Sequence, residues 1–276
     1  MAVTLALLAA VVYGAADFFG GLASRKTPAV AVVVLSQLVG LAFLIVAAFF
    51  VPGHFYAGDV AWGVAAGIGG AVGIGALYAA LAIGRMGVVS PVTAVVGASV
   101  PVVVGFALGD RPPLHAAIGL ALAFVAVALV AANAESWHFT FDEPGIGLAL
   151  VSGLAIGALY VFLSRGHHDA GLTLLGTTRV TSIVLLGAYA LLRRVPLVPA
   201  RGAFATIAFA GGLDMLANVF YVLASHAGLL EIVAVLTSLY PASTVILARF
   251  VLDERLARSQ WAGVAFATAG VVLLAR

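Results

Sequence analysis

The sequence predicts an all-α membrane protein whose ten transmembrane helices form two inverted five-helix repeats. Three observations predict it. The chain carries more apolar side chain than a water-soluble fold can hide, it contains ten continuous apolar runs of bilayer length, and its motifs recur at a spacing near 144 residues.

The apolar excess comes first. Hydrophobic residues make up 64% of the 276 and charged residues 9%, and mean hydropathy is +1.21. A soluble domain has about 45–50% apolar and about 25% charged residues. A chain of this length exposes too much surface to bury the difference, so lipid is the expected solvent. The net charge of +2 offers no basic face for nucleic acid. The lack of cysteine excludes disulfides, thiol catalysis and cysteine-held metal. The Ala-, Gly- and Val-rich composition fits a plasma membrane.

A spanning helix needs about 20 mostly apolar residues, and each run can be taken in order. The first, 2–23, is apolar from Ala2 and lacks the basic leader of a cleavable signal, so it reads as a spanning helix; Asp17 interrupts its far half. Arg25–Pro28 closes it. The second, 29–51, ends in the polar break Pro52–Asp59. The third, 60–84, is crowded with Gly63, Gly67, Gly69, Gly70, Gly73 and Gly75. Small residues four apart allow close helix contact, and no stretch reads as a phosphate-binding loop. The fourth, 88–109, contains Pro91 and Pro101, and the fifth is 114–133. The longest polar break, Asn133–Pro144, falls almost at the midpoint. The second half repeats the pattern with runs 145–164, 172–192, 203–225, 230–252 (carrying Pro241) and 259–275. Barrel strands would be about 10 residues of alternating polarity; these runs are continuous.

The two halves share motifs. Gly109-Asp110-Arg111 closes the fourth run and Gly119 follows; Asp253-Glu254-Arg255 closes the ninth and Gly263 follows, 144 residues on. Ser36-Gln37 corresponds to Thr178-Arg179, and Tyr78 with Leu81-Ala82 corresponds to Tyr221 with Leu223-Ala224. The repeats are expected at 1–133 and 144–276. Five crossings per unit invert the second copy, and inverted repeats with a site at their interface are typical of secondary transporters.

At this point the sequence resembles the EamA-type branch of the drug/metabolite transporter superfamily over nearly its whole length. The carriers are the two five-helix units and the proline-bearing fourth helix of each. One reads Ser90-Pro91-Val92-Thr93, Pro101 and Gly109-Asp110-Arg111; the other reads Leu239-Tyr240-Pro241 and Leu252-Asp253-Glu254-Arg255. The family pattern ends in Gly-Glu-Arg, so Asp110 and Asp253 are small departures. The resemblance implies alternating-access transport of a small organic solute such as an amino acid, metabolite or drug, with both termini in the cytoplasm. Loop arginines and lysines, counted alone, favour the opposite orientation; the expectation adopted here follows the family.

Charges within spans cost at least about 2.5–3.5 kcal/mol each at the bilayer centre, so each needs a partner, a wet cavity or a task. Asp214 sits near the middle of the eighth run with Asn218 one turn along. It reads either as a cavity acid for an amine or a coupling proton, or as half of a structural ion pair. Arg179, two turns into the seventh run, reads as a carboxylate-binding or gating cation, or as a fixed partner of Asp214. Asp17 reads as a proton acceptor or gate residue, or as a partner of Arg25 or Lys26. Tyr13, Tyr78, Tyr160, Tyr221 and Tyr240 fall inside spans instead of at interfacial belts. They offer ring walls with one hydroxyl each, or simple packing. Prolines 91, 101 and 241 act as hinges or as static kinks. The His167-His168 pair reads as solvated loop.

The expected cavity is lined by Asp17, Tyr78, Asp214, Asn218, Tyr221 and Tyr240, with Arg179 coupling or gating. No catalytic residue, metal or cofactor is expected. The partners are a small-molecule solute, the bilayer and, through coupling, a proton; the solute itself and the oligomeric state are not specified. The rivals are an intramembrane enzyme on a lipid or prenyl substrate, which the scattered single acids disfavour, and a non-transporting scaffold.

Overall fold

A computed structural model describes residues 1–50, 54–84, 86–109, 111, 113–131, 144–167 and 172–251, together with positions 262, 263, 265, 266, 269, 270 and 273 of the last segment. All regular structure among them is helical: α1 (Ala2–Ser24), α2 (Ala29–Ala48), α3 (Ala57–Ile83), α4 (Met86–Ala107), α5 (Leu114–Ala131), α6 (Ile146–Leu163), α7 (Thr173–Leu192), α8 (Ala203–Ala227), α9 (Leu230–Thr237) and α10 (Tyr240–Val251). Among the described residues, seven stretches are long and apolar enough to cross a bilayer: α1, α2, α3, α6, α7, α8 and the compound span Ile232–Val251. Within α4, Val92–Ala107 is a shorter apolar helix. The expected run 259–275 lies mostly outside the described residues, as does the break at 133–143.

The ninth run, in which Pro241 reads as a hinge or a static kink, is interrupted just before that proline. α9 stops at Thr237 and α10 starts at Tyr240. The reason is Pro241, which has no N–H to give the Thr237 carbonyl and whose ring collides with it. Pro241 then sits in the first turn of α10, where that donor is not needed. Pro101 does the same to the carbonyl of Gly97 without ending α4. There α6 comes close: a Cβ on Gly157 would lie 2.6 Å from the Gly97 oxygen.

Small residues set the packing. α3 lies along α6 and α7, α1 along α8, and α2 touches both α7 and α8. Gly63 and Gly67 of α3 face Thr177 and Thr181 of α7, and a Cβ on Gly67 would come within 2.7 Å of the Thr178 carbonyl oxygen. Gly211 of α8 presses in the same way on the Ser36 carbonyl of α2. Gly67 and Gly211 are 144 positions apart and Ser36 and Thr178 are 142 apart. A second matched pair involves tyrosines. Tyr78 Oη donates to the Ala16 carbonyl at 3.5 Å, and Tyr221 Oη to the Tyr160 carbonyl at 3.1 Å. Large apolar side chains such as Val11, Phe43, Val46, Val72, Val103, Val184 and Phe250 point outward. Such a surface is expected to meet lipid, since water-soluble monomers seldom expose so much contiguous apolar area.

Two contacts between loops fix how the helices alternate. At the start of α3, fully buried Asp59 accepts from the His167 backbone N–H at 3.2 Å, and His167 Nδ1 lies 2.9 Å from the same carboxylate oxygen. Tyr56 stacks on the His167 ring at 4.1 Å. At the other end of the bundle, Thr27 Oγ1 accepts from the Ala200 N–H at 3.0 Å. The α2–α3 and α6–α7 loops therefore share one side, and the α1–α2 and α7–α8 loops share the other. His167, read from sequence as solvated loop, is half-exposed and also rests against Asp59. The aromatic stack and the buried acid draw the ring down although it stays 54% exposed. His168 lies outside the described residues.

Candidate functional site

A cavity opens where α1, α2, α3, α6, α7, α8 and α10 converge. Its walls are Tyr13, Asp17, Gln37, Gly70, Ile74, Leu77, Ile156, Leu159, Tyr160, Thr178, Arg179, Ser182, Asp214, Asn218 and Tyr240. Each polar member has a local reason for its position.

Arg179 reaches the cavity from α7 because the glycine faces of α3 and α8 let α7 and α2 approach the bundle axis. Its Nη1 donates to Gln37 Oε1, and its Nη2 lies 2.5 Å from Asp214 Oδ2. The contact with Asp214 is one of charge, without hydrogen-bond alignment at Nη2. Both side chains are largely enclosed, at 5% and 14% exposure. Such a pair is a poor source of net stability, since desolvation offsets the attraction, but losing one partner is costly. Gln37 and Arg179 occupy matching places in the two halves, 142 residues apart, and they meet each other. Only the second half adds an acid to the pair. Asn218 turns back along α8 and donates to the backbone carbonyl of Asp214 at 2.7 Å. Ser182 Oγ donates to the Gly67 carbonyl and Thr178 Oγ1 to the Leu174 carbonyl, each at 2.8 Å.

Asp17 stands across from this cluster on α1, 6% exposed. It forms no bond with Arg25 or Lys26, both of which are exposed beyond the helix end. Among the described residues, no hydrogen-bond donor meets its carboxylate. Tyr13 lies one turn earlier on the same face, and its hydroxyl is buried with no protein partner among the described residues. Tyr13 and Tyr160 have ring centroids 6.1 Å apart, and Tyr160 stacks on Tyr221 at 4.5 Å. Tyr240 Oη donates to the Ser90 carbonyl at 3.5 Å. Among the described residues there is no group of three or more His, Asp or Glu arranged for a metal.

Of the residues selected from sequence, Asp17, Arg179, Asp214, Asn218 and Tyr240 come together on the cavity wall. Tyr78 and Tyr221 stand behind that wall: Tyr78 bonds to the backbone of α1, and Tyr221 supports the Tyr160 ring. Tyr13, Tyr160, Gln37 and Ser182 were not selected. Two signals could have found the tyrosines. Tyr13 precedes Asp17 by one helical turn, and Tyr160 follows it by 143 residues, the repeat spacing.

No curated protein matches the sequence. A solved structure titled "Crystal structure of protein" superposes with a TM-score of 0.74 at 16% identity, over 98% of this chain and 95% of its own. At that identity the likeness speaks for the fold. The model of the EamA-like transporter family matches twice, at residues 1–132 and 143–276. With nearly the whole chain covered by two copies of one family unit, the protein is a multi-pass membrane protein that belongs to the EamA-like transporter family.

Proposed function

We propose that this chain is a gradient-driven secondary transporter that moves a small organic solute across the plasma membrane by alternating access. Ten spans form two inverted five-helix repeats, 1–133 and 144–276, with both termini in the cytoplasm. The observation that carries the reading is a cavity among lipid-facing helices whose largely apolar wall carries Asp17, Arg179 and Asp214. An ion pair, an acid with no partner among the described residues and three tyrosines have no structural need to surround a hollow, and polar groups at membrane depth mark solute or ion routes. The matched contacts of Gly67 with Gly211 and of Tyr78 with Tyr221 support two related halves. Alternating access then corresponds to one half rocking against the other around the cavity. The interruption before Pro241 and the freed carbonyl below Pro101 supply hinge positions. Asp17 and Asp214 are the groups through which a proton gradient would couple.

The test is a thermal-shift screen of the detergent-purified protein against amino acids, nucleosides, sugars and organic cations, followed by uptake into proteoliposomes. A bound solute stabilises by mass action, by about 2.7 kcal/mol at one hundred times its dissociation constant. At least one class should stabilise the protein and move across the bilayer. No shift and no flux for any class refutes the reading.

A further inference from the structure

We propose that the solute is an organic cation, an amine or ammonium whose charge is held by Asp17 inside a wall of tyrosine rings. This inference rests on the transport reading above and adds the chemical class of the solute.

The charge balance of the cavity is the main argument. Three ionisable groups of fixed sign face it: Asp17, Arg179 and Asp214. Arg179 and Asp214 neutralise one another's charge at 2.5 Å, and Gln37 takes a guanidinium N–H. Asp17 is left over, 6% exposed, with no hydrogen-bond donor among the described residues. An isolated carboxylate out of water is costly unless paired. The nearest cations in sequence, Arg25 and Lys26, lie about two turns farther along at the surface. The partner that completes this site is a positive charge arriving in the cavity.

The surroundings of Asp17 fit the same ligand. Tyr13 is one turn away on α1, and Tyr160 and Tyr240 line the same space. Tyrosine faces attract cations within about 6 Å, and the attraction grows when water is excluded. Tyr160 is held in place by its stack on Tyr221 and by the hydroxyl of Tyr221 on its backbone carbonyl. The Tyr13 hydroxyl, buried with no partner among the described residues, is open to the N–H of a protonated amine, a bond that a quaternary ammonium does not use. The rest of the wall includes Leu77, Ile156 and Leu159, suited to a hydrocarbon body. A free carboxylate on the solute has no such opening, because the guanidinium that would receive it is already occupied by Asp214. Zwitterions and anions are therefore disfavoured relative to cations.

The experiment uses the full chain in detergent and in proteoliposomes with four probes of similar shape. These are benzyltrimethylammonium (a permanent cation), phenylalanine (a zwitterion), benzyl alcohol (neutral) and benzenesulfonate (an anion). The expected result is a thermal shift and flux for the cation above the other three. Asp17→Asn should weaken cation binding at least tenfold without lowering the melting temperature of the empty protein. Tyr13→Leu should weaken it severalfold while Tyr13→Phe keeps it, which separates the ring face from the hydroxyl. Stabilisation and flux by the zwitterion, neutral or anionic probe in preference to the cation overturns this inference and leaves the transport reading standing. Unchanged cation affinity in Asp17→Asn overturns it also. If no probe binds and the broader solute screen likewise yields neither binding nor flux, the transport reading falls and takes this inference with it.

Discussion

Cutting the Arg179–Asp214 pair from either side should have unequal consequences, and the inequality follows from the chemistry of the two groups. In Asp214→Leu the guanidinium stays buried with Gln37 as its one remaining side-chain partner among the described residues. Arginine does not give up its proton. Removing one member of a buried pair costs about 3–5 kcal/mol, which at about 1.4 kcal/mol per decade lowers the folded-to-unfolded ratio by roughly two to four powers of ten. In Arg179→Met the orphan is a carboxyl group that borders the cavity, where water entering the cavity can solvate it. Its loss should therefore be the smaller of the two. The double variant Arg179→Met/Asp214→Leu buries no charge and should recover most of the loss, because replacing a buried pair by apolar residues of similar volume is often neutral or stabilising. The assay is SDS titration in mixed micelles followed by fluorescence of the three tryptophans. Equal midpoints for Asp214→Leu and the parent protein, or a double variant worse than both singles, would refute the reasoning.

Two further outcomes test the packing. Gly211→Ala should destabilise the bundle by about 1–3 kcal/mol, since the new methyl meets the Ser36 backbone, with its Cα 2.8 Å away, and a backbone cannot turn aside. Gly212→Ala, next in sequence but facing open space, should be neutral or stabilising by up to about 1 kcal/mol; the same SDS midpoints read both. Tyr221→Phe removes the 3.1 Å bond to the Tyr160 carbonyl but keeps the stacked ring. It should cost about 1 kcal/mol of stability and leave solute affinity within about twofold of the parent, measured by thermal shift. A tenfold loss of affinity would move Tyr221 from support to contact.

The helical membrane class was legible in the sequence because it depends on totals and run lengths. A run such as 203–225 has to be a spanning helix whatever its neighbours do, since lipid leaves its backbone no other partner. The proline-bearing fourth helix of each half was legible because proline acts within its own turn. The interruption between α9 and α10 was not, since one proline can bend, kink or break a helix and the surrounding packing decides which. The polar wall was partly legible: an acid inside an apolar run, such as Asp17 or Asp214, stands out by its cost alone.

Which of those acids has a partner was decided only by the tertiary structure. Read along the chain, Asp17 and Asp214 are alike, each an acid in an apolar run with a basic residue elsewhere to pair with. The fold gives Arg179 to Asp214 and leaves Asp17 facing the tyrosines, because Gly67 and Gly211 let α3 and α8 close in on α7 and α2 at one particular register. It also brings Tyr13 and Tyr160 to one cavity from helices that the sequence separates by more than a hundred residues. A sequence carries local costs and periodicities. The pairing of charges across helices is a property of distance, and distance between helices is set by which small residues face which backbone.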